Sequence, residues 1–88
     1  MADYIGMDPA EVETFSQALE TKAGDLETII STLTSQLANT TWVGNDRVRF
    51  EENWTGTIAL NLRNAADQLH TASSTAHSDA QAQINASA

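Results

Sequence analysis

The stretch Asn39-Thr40-Thr41-Trp42-Val43-Gly44-Asn45-Asp46 decides how this chain folds. It lies near the middle of 88 residues, between two long segments of helical periodicity. Asn39, Thr40 and Thr41 favour turns over helix interiors, because their short polar side chains compete for nearby backbone groups. Gly44 can take backbone angles closed to other residues, and the indole of Trp42 reads as a plug wedged between two helix ends. Asn45 reads as the cap of a second helix, and Asp46 suits its positive end. The segment is therefore a helix–helix corner.

Upstream of the corner, Asp8 caps a first helix, Pro9 fits its first turn, and Glu11 completes a capping-box pattern. Met7 and Val12 stand at the positions of a hydrophobic staple. Val12, Phe15, Leu19, Ala23, Leu26, Ile30, Leu33 and Leu37 follow at steps of three and four, the stripe of one helix face, which Ile29 widens. Gly24 lies outside the seam or admits a close neighbour. Downstream, Phe50, Trp54, Ile58, Leu62, Ala65, Leu69, Ala72 and Ala76 form the second stripe, while Val48 and Leu60 lie off it as a second surface for a partner. Beyond about residue 76 the chain is mostly Ala, Ser, Gln and Asn, and a frayed tail is expected. No segment sustains the alternation of a strand.

These patterns predict an all-α single domain over 1–88, an antiparallel helical hairpin. Helix 1 spans about 8–38, the turn about 39–45, helix 2 about 46–76, and the tail about 77–88. Each arm carries a broader apolar stripe than one neighbour can cover, so pairing into a four-helix bundle is expected. The hairpin or dimer core is then Val12, Phe15, Leu19, Leu26, Ile30, Leu33, Leu37, Phe50, Trp54, Ile58, Leu62 and Leu69.

Composition narrows the function. Twelve acidic residues against four basic ones leave a net charge of −8, and Lys22, Arg47, Arg49 and Arg63 are dispersed. Binding nucleic acid needs clustered cations, so that class is excluded, and a membrane-surface helix would carry a cationic polar face. No apolar run approaches the ~20 residues that span a bilayer, so no stable membrane insertion is expected. There is no cysteine, hence neither disulfide nor thiolate metal site. His70 and His77, with Asp67 a turn before His70, are two turns apart, about 10 Å along one helix, and cannot share one ion unaided. They read as solvated polar residues. Glu51-Glu52 and the acidic face of helix 1 lack a nucleophile, a pocket or a phosphate loop. No catalytic residue, cofactor site or metal site is read, and no enzyme.

Trp42-x-Gly44 between two helices, with Phe50 and Trp54 spaced down the second, resembles the Trp-x-Gly (WXG) family of small ESAT-like type VII secretion proteins of actinobacteria and related Gram-positive bacteria. The likeness extends over nearly the whole chain. It implies a dimeric substrate or adaptor of a type VII system, paired with itself or with a related WXG-type partner. It also implies export by a membrane complex with an FtsK/SpoIIIE-type ATPase, whose recognition surface includes the position of Trp42. Met1-Ala2-Asp3-Tyr4 lacks the basic and apolar segments of a cleaved leader, so secretion by a leaderless route from a cytoplasmic pool is expected. The family's Tyr-x-x-x-Asp/Glu export element after the second helix is missing. No tyrosine follows Trp54, and Tyr4 with Asp8 stands at the opposite end. This favours a partner that carries the signal. The competing reading is a cytosolic chaperone-like helical dimer that holds the helical domain of a larger protein.

Overall fold

A computed structural model describes residues 6–87. It is an antiparallel helical hairpin, a rod 65 Å long and 17 × 15 Å across, with no strand among the described residues. The first arm is α1 (Pro9–Ala38); the second is α2 (Asn45–Asn53), a single π-helical turn (Trp54–Ile58) and α3 (Ala59–Ser87).

Local chemistry sets the ends of α1. The N–H groups of Ala10 and Glu11 donate to Asp8 Oδ1 at 3.0 and 3.4 Å, filling two of the four amides a helix start leaves unpaired. At the other end Asn39 is the cap residue, its N–H donating to the Leu37 and Ser35 carbonyls. The turn is residues 39–44. Asn45 is the first residue of α2 and not its cap; Gly44 takes that place at φ 124° and ψ −177°, a conformation nearly closed to any residue with a Cβ. The sequence reading gave the cap to the better hydrogen-bonding side chain, but the sharp reversal demands the backbone only glycine tolerates.

The arms meet along a seam of period seven. On α1 it is Ser16, Ala23, Ile30 and Leu37; on the second arm it is Ala59, Ala66, Ser73 and Ala80. The Ser73 hydroxyl donates to the Ser16 carbonyl at 2.7 Å, which fixes the register. Counting seven along each helix from this pair brings Ala23 level with Ala66 and Ile30 level with Ala59. Ile30, Trp54 and Ala59 form the buried cluster, with Leu37 and Leu62 packed against it. The best-covered positions are small: Ala23 and Ala80 are 0 % exposed and Ala66 is 1 %. Short side chains let two backbones approach, so the seam closes on methyl groups.

The π turn corrects the second stripe. The Ala59 N–H donates to the Trp54 carbonyl, five residues back, so one extra residue is spliced into the helix. Trp54 is therefore followed in the seam by Ala59, Ala66, Ser73 and Ala80. Ile58 and Ala65, with Ala72, turn away by about 100°, the rotation of one helical residue. The splice falls in Thr55-Gly56-Thr57, two β-branched residues around a glycine, where α-helical hydrogen bonding is least favoured. Gly24 is not a close-approach site, since a Cβ there would meet nothing within 4 Å.

Helix α3 also runs on to Ser87, through the expected frayed tail. Two contacts hold it: Ala80 is wholly covered, and His77 Nδ1 lies 2.7 and 2.8 Å from the two Glu13 carboxylate oxygens. Polar composition suggested fraying, but alanine-rich helix needs only a few anchors on the start of α1 to persist. Tyr4 lies outside the described residues.

Candidate interaction surface

The seam divides the hairpin into two unlike flanks, and the same heptad offsets generate them on both arms. Residues one before or three after a seam position are mostly apolar, Gln36, Thr40, Asp79 and Gln83 at the ends of the rows excepted: on α1 they are Phe15, Leu19, Leu26, Ile29 and Leu33, with Lys22 between them. Facing the same way on the second arm are Ile58, Leu62, Ala65, Leu69, Ala72 and Ala76. Residues four after a seam position are mostly charged or ionisable: Glu20 and Glu27 on α1, with Glu13 in the same row, and Arg63, His70 and His77 on α3; Thr34 and Ile84 stand in the same row at the two ends. One side of the rod is greasy. The other is an acid–base ladder.

The sequence-derived core residues distribute accordingly. Ile30 and Trp54 are buried in the hairpin itself. Val12, Leu19, Leu26, Leu37, Leu62 and Leu69 are half-buried along its edge. Phe15 (60 % exposed), Leu33 (42 %), Phe50 (42 %) and Ile58 are open to solvent in the single chain, as is Ile29. Several large apolar side chains along one side, uncovered and near-contiguous, mark an interaction surface in soluble proteins. Val48 and Leu60, off the main stripe, are exposed as well.

At the bend only one of the two tryptophans takes the interior place expected of both. Trp42 is 37 % exposed and is not a core plug; it lies against the outer edge of α2, its ring centroid 5.3 Å from that of Phe50 at an interplanar angle of 46°. Trp54 is the buried indole, and its Nε1–H donates to the Thr34 hydroxyl at 3.0 Å across the hairpin. The physical reason is place: Trp42 stands in the turn at the open end of the rod, where nothing packs beyond it. Trp54 sits two turns inside, between both arms. With Leu33, Gln36, Leu37 and Thr40, the aromatic residues Trp42, Phe50 and Trp54 line a mostly apolar groove of 360 Å³. Trp42→Ala is expected to destabilise by only about 1–2 kcal/mol, the loss of one tilted aromatic pair and half-buried area. Thermal unfolding of the purified variant checks this.

Arg47 secures the bend, a role its place among dispersed cations did not suggest. Its Nη1–H group donates to the carbonyls of Thr40 (3.3 Å) and Trp42 (3.2 Å), and its covered Nε faces Glu51 Oε1 at 3.6 Å. The guanidinium thus satisfies two carbonyls of the turn, which belong to neither helix. Arg49 pairs with Asp46 on the exposed side.

The histidines are not merely solvated. His70 Nδ1 lies 2.9 Å from Glu20 Oε1 and its Nε2 3.3 Å from Glu27 Oε2, so one ring bridges two glutamates of the opposite arm. Hydrogen bonding to these carboxylates raises the His70 pKa above its ordinary 6.5, desolvation opposing only in part. The spacing that could have revealed this is the matched period of Glu13, Glu20 and Glu27 against His70 and His77. Among the described residues, no His, Asp and Glu side chains converge as a metal ion would require. Nor is any described helix long and apolar enough to cross a membrane.

Set against known proteins, the chain matches no family model, no curated protein and no solved structure.

Proposed function

We propose that the protein is a non-enzymatic interaction protein of the WXG type, a dimeric substrate or adaptor of a type VII secretion system. The observation that carries this reading is the antiparallel hairpin reversing at Trp42-x-Gly44, with Phe15, Ile29, Leu33 and Ile58 uncovered along one flank. Such a flank is shielded when two hairpins lay it against each other, which gives a four-helix bundle with the charged ladders outside. The partner is a second copy or a related hairpin. Trp42, half-open at the tip of the rod, remains free to meet the secretion ATPase.

Two measurements test the reading. Light scattering on the purified protein at micromolar concentration is expected to give a dimer, or a heterodimer once a related hairpin is added. Ile29→Asp with Leu33→Asp should weaken association with an unsubstituted partner hairpin roughly a hundredfold, about 1.5 kcal/mol for each apolar side chain denied its cover, and self-association more, since both copies carry the changes, while helix content stays unchanged. In a producing strain, the protein should reach the medium only when the type VII ATPase is intact. Retention inside cells with both the ATPase and a partner hairpin present would exclude export.

A further inference from the structure

The polar flank holds a device that neither the fold nor the proposed export role requires. His70 is 34 % exposed at its side chain and stands between Glu20 and Glu27, two turns apart on α1, with a carboxylate oxygen at each ring nitrogen. An ionised carboxylate only accepts hydrogen bonds, and a neutral imidazole has only one N–H to give. Both contacts are hydrogen bonds at once only when the ring carries two N–H groups, that is, as imidazolium. His77 differs, since both Glu13 oxygens approach the same nitrogen, Nδ1, and a neutral ring can satisfy them.

We propose that Glu20–His70–Glu27 is an acid-tightened clasp: protonated His70 ties the two arms in register, and the neutral ring must release one glutamate and loosen the polar flank. The charges around it favour the imidazolium. Glu20 and Glu27 face His70 from α1, with Glu13 in the row beyond; on α3 Asp67 stands one turn before it and His77 two turns after. Arg63, two turns before His70 and about 10 Å away along the helix, is the opposing fixed charge in the row; it lines a pocket with Glu27 and Asp67, and salt screens it in part.

The sign follows from linkage. A folded-state pKa raised above 6.5 means that the clasp's stabilisation is complete below that value and is lost as pH rises through the folded pKa. The hairpin is therefore expected to hold together more firmly in mild acid than in mild alkali. The clasp lies on the flank opposite the apolar surface, so it changes the stiffness of the rod without covering the partner face.

The experiment is an NMR titration of both histidine rings, together with urea unfolding of wild type, His70→Gln and His77→Gln between about pH 5.5 and about pH 8.5. His70 should titrate above 6.5 with both ring nitrogens protonated in acid, and Glu20→Gln should lower its midpoint. The wild-type urea midpoint should fall as pH rises; His70→Gln should lose most of that fall, and His77→Gln should keep it. Titration of His70 at or below 6.5, or an equal pH dependence in wild type and His70→Gln, overturns the clasp. The ring titration is read on the unmodified protein, so the outcome does not depend on the variants folding.

Discussion

Trp54→Ala is expected to lower the unfolding free energy by about 3–5 kcal/mol, the largest effect of any single truncation in the chain. Small domains hold a total of roughly 5–15 kcal/mol, so this loss leaves the hairpin marginal or partly unfolded at room temperature. Among the described residues the indole is the one bulky aromatic side chain buried between the arms, packed with Ile30 and Ala59 and backed by Leu37 and Leu62. In a rod 17 Å wide, little else can move in to fill the space it leaves. The hydrogen bond from Nε1 to Thr34 is a smaller part of the effect, because Thr34 is exposed and its hydroxyl can turn to water. Trp54→Phe separates the two contributions. It keeps most of the apolar body and loses the donor, and should cost about 1–2 kcal/mol. Urea unfolding followed by far-ultraviolet circular dichroism measures both. If Trp54→Ala and Trp42→Ala destabilise equally, the buried indole has been assigned to the wrong tryptophan.

Ala66→Leu is the second large expected effect, a loss of about 1–3 kcal/mol from overpacking. Leucine and alanine differ little in helix propensity, so the helix itself is not weakened. The cost arises because Ala66 is 1 % exposed and level with Ala23, which is 0 % exposed, so the added isobutyl group has only the opposite backbone to push against. The arms must separate or the side chain must leave its rotamer. Ala65→Leu is the control one residue away, since Ala65 lies on the apolar flank and is half-open. That variant should be nearly neutral in stability, and in a dimer it tests the partner face instead. Comparable urea midpoints for the two variants would mean that the seam does not run through Ala59, Ala66, Ser73 and Ala80.

The seam also explains why the apolar flank stays open. A hairpin that closed on its large residues would bury Phe15, Leu33 and Ile58 inside one chain and leave alanines outside. This molecule does the reverse, and much of its bulky apolar area faces outward. The way the arms pack therefore leaves an apolar flank on the side opposite the histidine clasp, the face on which the proposed pairing would rest.

The sequence by itself determined the two arms, their antiparallel reversal and the first helix start. These depend on local chemistry: the carboxylate of Asp8 two and three residues from free amides, apolar residues at helical period, and a glycine where the backbone must take a positive φ. What only the tertiary structure decided is which face of the second arm turns inward. One extra residue in the π turn at Trp54–Ile58 rotates everything after it, and no periodicity count crosses such a splice unbroken. The pairing of His70 with Glu20 and Glu27 and the persistence of α3 to Ser87 follow from that rotation and from the register of the other arm. Each is a contact between residues at least 20 positions apart or a consequence of one, and spacing along a single helix carries no information about its neighbour.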